Sequence, residues 1–277
     1  MEQYFSIQWH ITDTCGQRCK HCYIFSEDNS KPIVEMTWEQ LQAVVETSEA
    51  MCKNLSHPHI AGERQSNHIP FFYITGGDPI LHKDFWRLLE LLKSKNIAFS
   101  LMGNPFYLRG EVCEKLYTAG CERYQMSLDG LTETHDTIHK NGSFAETLEK
   151  IPLINNAGIK SVIMTTVSGT NIHEIPALID TVVKNHVDIF AFARYCPTSG
   201  LANQAFDKST HIMPDEYQAF LDICWRKFET YKDSGTTFKE WAIPEGYEAK
   251  AIVLLGYPDG TAPTVKPRKE GRIIRIA

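Results

Sequence analysis

The chain has 277 residues, enough for one large domain or one domain with a small appendage. Hydrophobic residues make up 43% and charged residues 22%, ordinary for a soluble protein, and a formal net charge of −6 offers no basic field for a nucleic-acid backbone. No apolar run of about 18 residues occurs, and the N-terminus lacks the features of a secretion signal, so a cytosolic protein without membrane or nucleic-acid partners is expected.

Short runs rich in β-branched and aromatic residues, each ending at a turn signal, predict strands at 4–12, 71–75, 97–103, 123–128, 161–167 and 187–193. Between them lie helical periods. The first opens at Thr37 with Gln40 three residues on, the spacing of a capping box. The second, 82–96, puts Phe85, Leu88, Leu89 and Leu92 on one face. Two more end at Gly120 and Gly158, where a left-handed cap is expected. Segments 171–185 and 213–232 complete the series.

Six strand–helix units in succession predict an α/β fold: a parallel sheet curved into a partial (β/α)6 TIM-like barrel, over residues 1–232. Chemistry in such sheets gathers at the C-terminal ends of the strands. The clusters DTCGQRCKHC, GGDP, GNP, DG and RYCPTSG each follow a predicted strand and so point at one rim. The polar stretch 57–68 reads as a loop, and residues 233–277 as a short irregular tail with one strand.

Of eight cysteines, Cys15, Cys19 and Cys22 fall in one loop, while Cys52, Cys113, Cys121, Cys196 and Cys224 are scattered as buried packing residues tend to be. Three soft thiolates select an iron–sulfur cluster, zinc or copper(I). A structural zinc would need a fourth ligand, such as His21 or His10. A [4Fe–4S] cluster on three cysteines would keep one iron open to a ligand.

The string CGQRCKHCY has the CxxxCxxC spacing of the radical S-adenosylmethionine superfamily, and its place after the first strand is the family's. GGDP (76–79) resembles the family's GGEP motif, and SLDG (127–130) resembles the end of the fourth strand in the peptide-modifying and cofactor-maturing, SPASM-type branch. The resemblance covers about residues 4 to 230 and implies a metalloenzyme of oxidoreductase type. Cys15, Cys19 and Cys22 would hold a [4Fe–4S] cluster whose fourth iron chelates S-adenosylmethionine, and an electron from the cluster would cleave that ligand to methionine and a 5′-deoxyadenosyl radical. It further implies that Gly76, Gly77, Asp78 and Pro79 form the loop around the methionine moiety. Ser127, Asp129 and Asn104 would hydrogen-bond the ligand, Arg194 would pair with its carboxylate, and Tyr23 would pack near adenine. The implied substrate is a peptide or small protein, with a flavodoxin or ferredoxin as reductant and an anaerobic host. The alternatives are a maturase for a tetrapyrrole or quinone precursor, a zinc-binding non-catalytic protein, and an inactive truncated barrel. The branch's usual C-terminal auxiliary-cluster domain is expected to be missing. The last 40 or so residues instead resemble the end of a flavin-dependent nitroreductase, without its flavin-binding segments.

Overall fold

The computed structural model describes residues 2–22, 24–25, 32–55, 67–195 and 210–240. The expected alternation is present. Strand β1 (Glu2–His10) leads to helix α1 (Trp38–Leu55) and β2 (Asn67–Thr75). Helix α2 (Phe85–Ser94) then precedes β3 (Phe99–Met102), and α3 (Gly110–Ala119) precedes β4 (Cys121–Ser127). Two helices, α4 (Thr132–Ile138) and α5 (Ser143–Asn156), come before β5 (Lys160–Val167). Helix α6 (Ile175–Lys184), β6 (Ile189–Arg194), α7 (Pro214–Tyr231) and β7 (Thr237–Glu240) follow.

The strands pair in chain order, β1 to β7, all parallel, in one open sheet curled into a partial barrel. The sheet therefore has one strand more than the six expected, because residues 237–240 pair with β6. Register aligns the C-terminal ends: His10 faces Thr75, Met102 faces Gln125, and Ser127 faces Met164. The loops after these strands consequently share one rim.

Local chemistry explains the helices. At the start of α1 the Gln40 side chain accepts from the Thr37 N–H at 2.8 Å and the Gln40 N–H donates to Thr37 Oγ1 at 3.3 Å, the reciprocal box expected. Phe85, Leu88, Leu89 and Leu92 of α2 are fully buried, as are Ile175, Leu178, Ile179 and Val182 of α6. Each such side chain contributes roughly 1.5–3 kcal/mol, enough to anchor a ten-residue helix that would not persist alone. Helix α3 ends at Gly120 in the left-handed region (φ 102°), and α5 ends just before Gly158 (φ 87°). Trp9 of β1 packs on Phe72 of β2 at 5.0 Å, and its indole N–H donates to the Met36 sulfur at 3.1 Å. No described helix is long and apolar enough to cross a membrane.

Candidate functional site

The site is built outward from the end of β1. Past His10 the chain leaves the sheet and returns beside its own start. Asp13 N–H donates to the Val34 carbonyl at 2.8 Å and Met36 N–H to the Ile11 carbonyl at 3.0 Å. The hydroxyls of Thr12 and Thr14 both donate to Glu35 Oε1, at 2.8 and 3.0 Å. The cysteine loop thus springs from a clasped base.

The loop after β2 grips that base. Gly77 N–H donates to the Thr12 carbonyl at 2.6 Å and Asp78 N–H to the Thr14 carbonyl at 2.7 Å. A Cβ on Gly76 would drive into the Thr12 carbonyl, and one on Gly77 into those of Thr14 and Asp13, far inside the 3.0 Å that real Cβ atoms respect. The two glycines are therefore required for the two loops to touch, a reason additional to ligand access.

Cys15, Cys19 and Cys22 line one cavity of about 300 Å³ together with Gly76, Gly77, Asn104, Ser127 and Thr166. Donors point at the sulfurs. Asn104 Nδ2 donates to Cys15 Sγ at 3.3 Å and the Gln17 N–H donates to the same sulfur at 3.4 Å. Burial pushes the Cys15 and Cys22 thiols up, and these donors, with the Ile24 and Phe25 N–H groups at Cys22, work against it. Cys19 Sγ lies 3.0 Å from His139 Nδ1.

Beneath the cavity Asp129 is 1% exposed. Burial alone would raise its carboxyl. The His139 hydrogen bond (2.6 Å to Oδ2), the nearby His21 ring and the Thr166 N–H (2.6 Å to Oδ1) reverse that and hold it low. The same pairing, against the penalty of burial, carries His139 above the ordinary imidazole range. His135 stacks on His139 at 4.3 Å and is pushed down to about 4 by burial and that neighbouring charge. It is thus neutral. Its Nδ1 accepts from the Asp129 N–H at 3.0 Å, which leaves Nε2–H to donate to Ser143 Oγ at 3.2 Å. Gln17 Nε2 donates to the same hydroxyl, tying the cysteine loop to the start of α5.

Eight residues singled out in the sequence thus meet at one cavity: the three cysteines, His21, Gly76, Gly77, Asn104 and Ser127. Asp129 lies below it, and Asp78 and Pro79 are buried behind its rim. Neither Asp78 oxygen has a hydrogen-bond partner of acceptable geometry, and burial pushes this carboxyl up to about 7. Arg194 is not among the lining residues. It is exposed at the end of β6, donating to the Ile212 carbonyl at 2.5 Å and lying 5.2 Å from the Tyr217 ring. Tyr23 lies outside the described residues. Sequence reasoning missed His135, on α4, and His139, which caps it; their four-residue spacing was the available signal.

The donor set fits the group that the sequence implies. Three soft thiols and hydrogen-bond donors aimed at two of them suit an iron–sulfur cluster, and Gly76 and Gly77 line the same cavity.

Residues 58–182 match the family model described as the Radical SAM superfamily. Residues 58–182 thus resemble a radical SAM domain. Among the solved structures of similar fold is Streptococcus suis SuiB bound to S-adenosylmethionine (TM-score 0.63, 15% identity, 85% of this chain and 50% of that chain). The matched region begins after the cysteine loop. In sequence the chain is 28% identical over 240 residues to an AdoMet-dependent heme synthase of Methanosarcina barkeri (strain Fusaro / DSM 804), covering 86% of this chain and 62% of that protein. It is 25% identical over 179 residues to the mycofactocin maturase MftC of Mycobacterium ulcerans (strain Agy99), covering 63% of this chain and 44% of that one. The chain therefore spans 62% and 44% of these relatives' length, less than two thirds of either. In fold it resembles Streptococcus suis SuiB bound to precursor peptide SuiA (TM-score 0.65, 14% identity, 85% of this chain and 48% of that chain). It also resembles native anSMEcpe with bound AdoMet (TM-score 0.64, 16% identity, 86% and 64%).

Proposed function

We propose that this enzyme cleaves S-adenosylmethionine reductively at a cluster held by Cys15, Cys19 and Cys22, and acts on a peptide or small protein. The observation that carries the reading is the convergence of all three thiols, the paired glycines and His139 on one cavity, with Asp129 hydrogen-bonded to His139 beneath it. When bound, the cluster and S-adenosylmethionine supply a 5′-deoxyadenosyl radical that abstracts hydrogen from the substrate. The chain's own residues do the rest. The thiols hold iron. The Gly76 and Gly77 carbonyls suit an ammonium group, and Ser127 and Asn104 offer hydrogen bonds at the rim. His139, charged against Asp129, offers a cationic N–H at the cavity floor. Arg194, away from the cavity, is proposed to reach the ligand's carboxylate only by leaving Ile212. A flavodoxin or ferredoxin would supply the electron.

The peptide reading draws on the open sheet. Among the described residues its two edges are β1 and β7, and an extended peptide is proposed to lie along that side. The names of the SuiB complex and of the mycofactocin maturase agree with it. A second reading, maturation of a tetrapyrrole, is favoured by the heme synthase relative. Anaerobic reconstitution followed by a dithionite assay for 5′-deoxyadenosine tests the shared chemistry. About four irons per chain and 5′-deoxyadenosine are expected, and iron without cleavage would refute the activity. Added iron porphyrin that is consumed in step with 5′-deoxyadenosine would favour the second reading over the first.

A further inference from the structure

The segment after β3 forms a unit that ligand binding alone does not require. Tyr124 of β4 is 2% exposed, and its hydroxyl donates to the Asn104 carbonyl at 2.9 Å. Gly103 N–H donates to the Gln125 carbonyl at 3.1 Å, extending the ladder by one step. A Cβ on Gly103 would lie 2.6 Å from the Tyr124 hydroxyl oxygen and 3.0 Å from Asp78 Oδ1. Glycine at this position lets the tyrosine and the carboxyl close in from below. Held on both sides, Asn104 directs its amide toward the first cysteine, with Nδ2 at 3.3 Å from Cys15 Sγ.

We propose that Asn104 is a positioning residue whose amide N–H, donated to the Cys15 sulfur, sets the reduction potential of the cluster. The proposal rests on the reading of Cys15, Cys19 and Cys22 as cluster ligands. A reduced cluster carries one more negative charge, shared by its sulfurs, so a donor at a sulfur stabilises the reduced form more than the oxidised one. Such outer contacts commonly tune a metal centre, and losing one typically changes affinity or activity about 10–100-fold. The donors from Gln17, Ile24 and Phe25 are backbone N–H groups, which a side-chain substitution leaves in place. The contact at Cys19 comes from an imidazole, whose donors depend on protonation and tautomer. The Asn104 amide donates at every pH. It is also packed between Cys15 and the buried Asp78 carboxyl, which by itself disfavours negative charge on that sulfur. The amide therefore sits where a fixed dipole most affects the electron's energy.

The test compares wild-type protein with Asn104→Leu, Asn104→Asp and Tyr124→Phe, each reconstituted anaerobically. Iron and acid-labile sulfide are counted first, and the cluster potential is then measured by electron paramagnetic resonance during a redox titration. Removing a hydrogen bond to a charged acceptor is expected to lower the reduced-to-oxidised ratio at fixed potential about tenfold, which is ~59 mV more negative for a one-electron couple. Asn104→Asp keeps the shape but exchanges the donor for an oxygen acceptor, and should shift the potential further in the same direction. Tyr124→Phe frees the backbone and should give a smaller shift of the same sign. Full iron content with an unchanged potential in Asn104→Leu, or an unchanged or raised potential in Asn104→Asp, would overturn the proposal. Failure of the wild-type chain to take up about four irons would instead overturn the cluster reading beneath it. Should the leucine variant not hold iron, the aspartate and phenylalanine variants decide the sign.

Discussion

Gly76→Ala separates a steric demand from a preference for a backbone angle. The added methyl would meet the Thr12 carbonyl oxygen head-on and would stand 3.1 Å from the Thr12 nitrogen. Both partners are backbone, so no side chain can swing away, and the two loops must part by about 1 Å to reach ordinary contact. Parting weakens the hydrogen bonds from Gly77 to Thr12 (2.6 Å) and from Asp78 to Thr14 (2.7 Å). At about 0.5–1.5 kcal/mol each, with about 1–3 kcal/mol for alanine at φ 156°, the sum is roughly 2–6 kcal/mol borne by the loop that carries the cysteines. Gly142→Ala is the control: its φ is 80°, yet nothing lies within 4 Å of the new Cβ. That variant should cost only the ~1–2 kcal/mol of a left-handed alanine. Iron is counted after anaerobic reconstitution of both variants, and thermal melting of the apo-proteins is followed alongside. Gly76→Ala should retain less than about a quarter of the wild-type iron, by analogy with lost outer contacts at metal sites, whereas Gly142→Ala should retain nearly all of it. Wild-type iron and melting temperature in Gly76→Ala would show that the two loops do not need their close approach.

Replacing Cys15, Cys19 or Cys22 singly with Ala should abolish both cluster retention and 5′-deoxyadenosine formation, whereas Cys224→Ala, a buried residue of α7 far along the chain, should keep its iron. For the apo-protein, the Asp129–His139 pair predicts a particular pH dependence. His139 is raised above the unfolded imidazole near 6.5, so its stabilisation is full below that pH and declines as pH rises toward its folded value. The melting temperature should therefore fall between about pH 6.5 and 8, before cysteine ionisation of the unfolded chain intervenes. Asp129→Asn should flatten that limb, and an unchanged slope would count against the pair. The Asp78 carboxyl works oppositely: raised to about 7 by burial, it costs stability as pH climbs through the acidic range. Asp78→Asn should accordingly melt higher than wild type at pH 8, by up to about 4 kcal/mol from a shift of roughly three pH units.

The barrel was legible in the sequence because its helices and strands carry unmistakable periods. The face of α2 read from Phe85, Leu88, Leu89 and Leu92 is the buried face, and the Thr37–Gln40 box closes as spaced. The seventh strand was less so, since four residues, TFKE, carry no pattern until β6 offers them a partner. The cysteines and glycines were readable because spacing alone exposes them. The roles of the histidines were not: α4, TETHDTI, has no apolar stripe, and its His135 matters only once β4 brings Asp129 over it. The missing Cβ at Gly76 and Gly77 likewise answers to a carbonyl more than sixty positions away, which local reading cannot see.

The clasp at the root of the cysteine loop bears on the order in which the protein is assembled. Thr12, Thr14 and Glu35 join its two ends without help from any metal, and the three thiols lie within eight residues of one another along the chain. A cluster there bridges no distant parts of the polypeptide, so it removes little chain entropy that the clasp has not already removed. The scaffold is thus expected to reach its shape first, with iron and sulfide delivered afterwards to a waiting cradle. Loss of the cluster to oxygen would then be repairable on the folded protein, without a return to the ribosome or a chaperone.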